Sequence, residues 1–135
     1  MKNLWPERFE ENPKRPPKNF FEEQAEILTK ITNAVASAEV VEDRLEAVFH
    51  EADFCYRFDI TGKYLPNYRF KVLSFSHDIT LYPVAFKLDS ALAEELRVGD
   101  SLTIGSPEEL EIFLERVLTS DRIKNIVGSI LKLSK

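Results

Sequence analysis

The chain has 135 residues, 44% of them hydrophobic and 30% charged, which is enough for one compact domain with a core that needs no covalent staple. The lone Cys55 excludes an internal disulfide and, with only two histidines in the chain, also excludes a structural zinc site of the Cys/His type. The net charge of −5 is uneven: residues 1–18 carry five cations against three acids and residues 121–135 four against one, which leaves −10 between them, an acidic body that argues against nucleic acid and suits a basic protein partner.

Residues 1–18 stand apart. Pro6, Pro13, Pro16 and Pro17 interrupt a stretch without apolar periodicity, which predicts an extended arm laid on its own domain with Trp5 and Phe9 as anchors. Charges and Pro6 arrive before any apolar run can form, so no secretion signal is expected, and no stretch approaches the ~18 uninterrupted apolar residues of a membrane helix. The expected location is the cytoplasm, away from membranes. Residues 19–135 are expected to form a single α+β domain. Asn19 and Glu22 form a capping box for a first helix, in which Phe21, Ala25, Leu28, Ile31 and Val35 repeat at helical spacing.

Beyond Ala36 the period changes to two. Leu45, Ala47 and Phe49 share one parity; Phe54, Tyr56, Phe58 and Ile60 share the next; Tyr68, Phe70 and Val72 a third; and Tyr82, Val84 and Phe86 a fourth. The short connections predict an antiparallel meander of about four strands. Parity proposes a register with Phe58 opposite Phe70, Cys55 opposite Leu73, Val72 opposite Tyr82 and Phe75 beside Ile79. In that register the aromatics form a face covered by helices. Cys55, Leu73, Phe75, Ile79 and Leu81 form a second apolar patch, covered either by another helix or by a partner.

The remainder reads as helical. Asp89 caps a short helix through Leu92 and Leu96, and Leu102 with Ile104 suits a short fifth strand. Ser106-Pro107-Glu108-Glu109 is a start signal, a capping serine followed by proline and a returning glutamate. Thr119-Ser120 then breaks the chain before Ile123, Ile126, Val127, Ile130 and Leu131, so a C-terminal helical pair packs on the sheet, with Gly128 permitting close contact.

Pro16-Pro17-Lys18 leading to Glu23-Gln24-Ala25, together with Asn67-Tyr68-Arg69-Phe70, Ser76-His77-Asp78-Ile79, Leu81-Tyr82-Pro83-Val84 and the C-terminal helical pair, resembles a family of small uncharacterised bacterial proteins. The resemblance implies a bacterial single-domain protein. It implies no activity, cofactor or catalytic residue.

The residues themselves offer no nucleophile elbow, phosphate-binding glycine loop, HExxH or CxxC, so no catalytic, cofactor or metal residue is assigned. Cys55 reads as a small buried hydrophobe. His50 and His77, with Asp53 and Asp78, gather at one end of the sheet; a two-histidine, carboxylate metal site is chemically conceivable there, but solvated loop tips are the expectation. Two functions follow. The first is a non-enzymatic interaction protein, in concrete form an immunity-type protein neutralising a basic toxin, with Glu51, Asp53, Phe75, Ser76, His77, Asp78 and Ile79 as the partner-binding surface, apolar anchors rimmed by acids. The alternative is a small-molecule-binding domain or hydrolase with a pocket between the aromatic sheet and a helix, lined by Tyr56, Tyr68 and Tyr82.

Overall fold

The computed structural model describes residues 1–44, 52–99 and 101–135. Their order is α1 (Pro17–Ile31), β1 (Ala36–Glu42), β2 (Phe54–Gly62), β3 (Leu65–His77), β4 (Val84–Leu88), α2 (Ser90–Leu96), β5 (Ser101–Ile104), α3 (Pro107–Leu118) and α4 (Asp121–Leu133). The strands form one antiparallel sheet in the order β1-β2-β3-β4-β5, with helices packed on it, which is the expected α+β class.

The meander has five strands, and its first lies earlier than expected, at Ala36–Glu42. Leu45, Ala47, Phe49, His50 and Glu51 lie outside the described residues. α1 also starts earlier than Asn19: Pro17 takes the first helical position, where a proline loses no hydrogen bond, and the Asn19 N–H already bonds the Pro16 carbonyl at 3.1 Å. The arm is not laid down by its aromatics. Trp5 and Phe9 touch each other edge to face, yet are 73% and 71% exposed.

The predicted register is not the observed one: Phe70 lies opposite Ile60 instead of Phe58, and a bulge shifts the pairing again beyond it. Phe58 pairs with Leu73 and Asp59 with Lys71, so Val72 is an extra residue on β3, and the strand changes parity there. Below the bulge Phe70 pairs with Ile60; above it Phe75 pairs with Tyr56. Leu73 and Phe75 are thereby turned onto the helix-covered face. Phe21 of α1 stacks on Phe75 with centroids 4.5 Å apart and touches Phe58 and Phe86, while Phe113 of α3 packs on Phe86 at 5.2 Å. This aromatic cluster is the centre of the core. The second apolar patch therefore does not exist as drawn: Leu73 and Phe75 are core, Leu81 is half-buried against the core, and Ile79 is exposed.

The other face of the sheet is mostly polar. Arg57 lies opposite Ser74 and Cys55 opposite Ser76, with Asp59 further along β2. Tyr82 precedes β4 instead of pairing with Val72; β4 begins at Val84, and Phe86 is the partner of Phe75. The helix starts follow the sequence closely. Asp89 accepts from the Leu92 N–H, Ser106 from the Glu109 N–H and Ser120 from the Ile123 N–H. Glu109 reaches back to the Gly105 N–H at 3.2 Å, one residue beyond the usual capping box. α4 packs closely on Gly62 at the end of β2: a Cβ there would lie 2.9 Å from Ile130 Cγ2.

Candidate functional site

The sheet end predicted as a partner surface is built by two chain segments that clasp one another. The Ile79 N–H donates to Asp53 Oδ2 at 3.0 Å and the Asp53 N–H donates to Asp78 Oδ1 at 3.3 Å, so the two carboxylates each tie one segment to the other. Arg44 adds donors to the carbonyls of Asp53 and Ala52 at 2.8 and 3.1 Å. Ser76, His77 and Asp78 border a cleft of about 340 Å³ with Ala52, Tyr82, Pro83, Ala85 and Thr103.

Of the expected surface, Asp53, Ser76, His77, Asp78 and Ile79 do meet at this end, whereas Phe75 belongs to the core and Glu51 lies outside the described residues. His77 is no solvated tip. It closes β3 opposite Phe54, is buried, and stacks beside Phe54 and Tyr56 at 5.4 and 6.2 Å. Its Nδ1 lies 2.7 Å from the Asp78 carbonyl, which can only accept, so Nδ1 is the donor of this bond. Among the described residues no group of three His, Cys, Asp or Glu side chains is placed to hold a metal ion. No described helix is long and apolar enough to cross a membrane.

On the polar face, Asp59 is wholly buried. Its Oδ2 accepts from Arg57 Nε and from an Arg69 terminal nitrogen, both at 2.7 Å; Arg57 also pairs with Asp43 at 2.6 Å and Arg69 with Glu39. The hydrogen bonds to Asp59, and then those to Asp43 and Glu39, raise both guanidinium pKa values. Every partner lies on β1–β3 or directly after β1. The arrangement staples three strands, and its Glu39 borders an open cleft with Arg15, Glu22, Glu23 and Glu26.

The sequence pattern missed a second feature. α1 and α4 do not close against each other over β1 and β2, and the gap is a groove of about 380 Å³. Ala38, Phe58 and Ile60 form its floor; Ile27, Leu28 and Ile31 form one wall, and Ile123, Val127, Gly128 and Leu131 the other, with Leu118 beside them. Among the described residues Gln24 and Lys124 are its only polar lining residues. Ile31, expected in the core stripe of the first helix, is 73% exposed at the groove, and Ile27 is 40% exposed. Gly128 does not serve a close helix approach: a Cβ there would meet nothing within 4 Å beyond its own helix and chain neighbours.

The tyrosines proposed for a sheet–helix pocket are dispersed. Tyr56 stacks on Phe75, and burial, with Glu42 and Glu22 adding, raises its pKa. Tyr68 borders a small cleft near Leu65 and Leu133, and Tyr82 borders the sheet-end cleft. No family model matches the chain, and no curated protein or solved structure matches it either.

Proposed function

We propose that this chain is a small-ligand-binding domain and that its site is the apolar groove between α1 and α4. The groove's volume, about 380 Å³, falls within the roughly 300–1,000 Å³ of small-molecule sites, which are mostly apolar with a few polar groups. Gly128 is the observation that carries the reading. A glycine inside a helix costs about 1 kcal/mol relative to alanine, and here neither a left-handed backbone nor a close neighbour accounts for it. Its effect is to widen the groove.

Binding of the neutral fluorophore N-phenyl-1-naphthylamine tests this. Saturable one-to-one uptake is expected in the wild type, and loss of uptake in Gly128→Phe, whose ring would fill the groove, with circular dichroism unchanged. Equal uptake by the plugged variant, or no saturable uptake by the wild type, would overturn the reading.

A second reading is favoured by Ile79, which is 70% exposed, follows Asp78 in the chain and donates its backbone N–H to Asp53. An apolar anchor rimmed by acids suits a cationic protein, in the manner of an immunity-type inhibitor. Ile79→Ala should then speed dissociation from such a partner, and Asp78→Asn should weaken the salt dependence of association; rates that neither substitution moves would dispose of it.

A further inference from the structure

We infer that the ligand of the α1–α4 groove is a single-chain amphiphile with an anionic head, a free fatty carboxylate, and that Lys124 recognises that head. The inference rests on the groove reading above and adds the chemistry of the ligand.

The two polar lining residues stand toward one end of the groove. Gln24 also borders the neighbouring cleft with Leu118 and Thr119, where α3 gives way to α4, and Lys124 lies in the first turn of α4. Ile31 and Leu131, late in α1 and α4, line the remainder with other aliphatic side chains. A site with donors at one end and hydrocarbon along the rest is complementary to an amphiphile.

Among the described residues Lys124 is the one charged side chain lining the groove itself, the acids Glu23, Glu111 and Glu115 lying with Arg15 in the adjoining cleft, and the exposed Lys124 ammonium has no ion pair among the described residues. It is therefore available for a charge-assisted hydrogen bond to a ligand carboxylate. The backbone donors that open α4 do not share this task. Glu95 accepts from the Asp121 and Arg122 N–H groups at 2.7 and 2.8 Å, and Ser120 Oγ accepts from Ile123 N–H at 3.3 Å. Head recognition falls to Lys124 and the Gln24 amide. A volume near the lower end of small-molecule sites suits one hydrocarbon chain, which selects the free acid over a two-chain lipid.

The test is displacement of N-phenyl-1-naphthylamine from the full chain by decanoate and by 1-decanol, each kept below its aggregation concentration. In the wild type decanoate is expected to displace the probe at roughly tenfold lower concentration than the alcohol, as a charge-assisted contact implies. Lys124→Gln should remove that preference and Lys124→Arg should keep it, each displacement being referred to the variant's own probe affinity. Equal displacement by acid and alcohol in the wild type, or a preference that survives Lys124→Gln, overturns the inference and leaves the groove reading standing. A wild type that takes up no probe overturns both. A dimer in sedimentation that Gly128→Phe dissolves would assign the groove to a second copy of the chain and likewise overturn the inference.

Discussion

The Tyr82 hydroxyl donates a 2.8 Å hydrogen bond to the backbone carbonyl of Arg15, 67 positions earlier in the chain. It fastens the residue just before α1 to the segment entering β4. The Arg15 guanidinium lies over the Phe20 ring at 4.0 Å and pairs with Glu23 at 2.8 Å, and the Lys14 ammonium lies over the Tyr82 ring at 6.0 Å, so the arm is held at its root. Tyr82→Phe keeps the ring and removes the donor. It is expected to lower the unfolding free energy by about 1 kcal/mol, measured by urea denaturation at neutral pH; an unchanged midpoint would mean that the bond contributes nothing.

The same hydroxyl makes stability depend on pH in the alkaline range. Burial first, and the charge of Glu108 second, push the Tyr82 pKa from 10.0 up to about 12, with Arg15 acting in the opposite direction. The folded value lies above the unfolded one, so the contribution is whole below pH 10 and is lost as pH rises through the interval to 12. The stability advantage of wild type over Tyr82→Phe should therefore shrink as pH is raised through this interval. A difference that stays constant across it would contradict a buried, raised hydroxyl.

The buried carboxylate of Asp59 should matter far more than the arginines around it. Removing Asp59 leaves Arg57 and Arg69 directed at one another, whereas removing Arg69, whose side chain is largely open to water, leaves Asp59 still bonded to Arg57. Asp59→Ala is expected to cost on the order of 3 kcal/mol and Arg69→Ala about 1 kcal/mol or less. Chemical denaturation of both variants checks the order, and similar losses would contradict the unequal roles.

Much of this architecture was legible because local chemistry and global fold agree. Asp89, Ser106 and Ser120 announce helix starts by side-chain oxygens that do accept the expected N–H groups, and Phe54 to Ile60 announces its strand by alternation. The register was not legible. Val72 is apolar and buried whether or not it is a bulge, so alternation continues through it in the sequence while the faces exchange in space, and Phe75 passes from a presumed surface to the core. The groove was illegible for a related reason. Ile27 and Ile31 fit the apolar pattern of a buried stripe, and only the spacing of α1 from α4 reveals that no described side chain fills the gap between the two helices.

Two glycines separate close approach from open space. Gly62→Ala would put a methyl 2.9 Å from Ile130 Cγ2, inside the packed contact between sheet and α4, and is expected to cost about 1–3 kcal/mol. Gly128→Ala adds its methyl to an open groove and restores helix propensity, so it should stabilise by about 0.5–1 kcal/mol. Thermal melts of the two variants should move in opposite directions. A destabilised Gly128→Ala would mean that the groove is closed in solution.

Truncation distinguishes the arm's tip from its root. Every residue from Met1 to Pro13 is exposed, and the hydrogen bonds of this stretch are local ones made by Asn3 and Asn12 side chains. Removing residues 1–13 should therefore leave the unfolding free energy within about 0.5 kcal/mol of wild type. A chain beginning at Pro16 also loses the Arg15 carbonyl that accepts from Tyr82, along with the guanidinium over Phe20 and the exposed pair to Glu23, which contributes little. Its loss should be at least that of Tyr82→Phe. Introducing Tyr82→Phe into the chain that begins at Pro16 should then cost almost nothing more, because the two changes remove the same bond. Losses that add in full would show that arm root and Tyr82 act independently, and that the 2.8 Å contact does not fasten them.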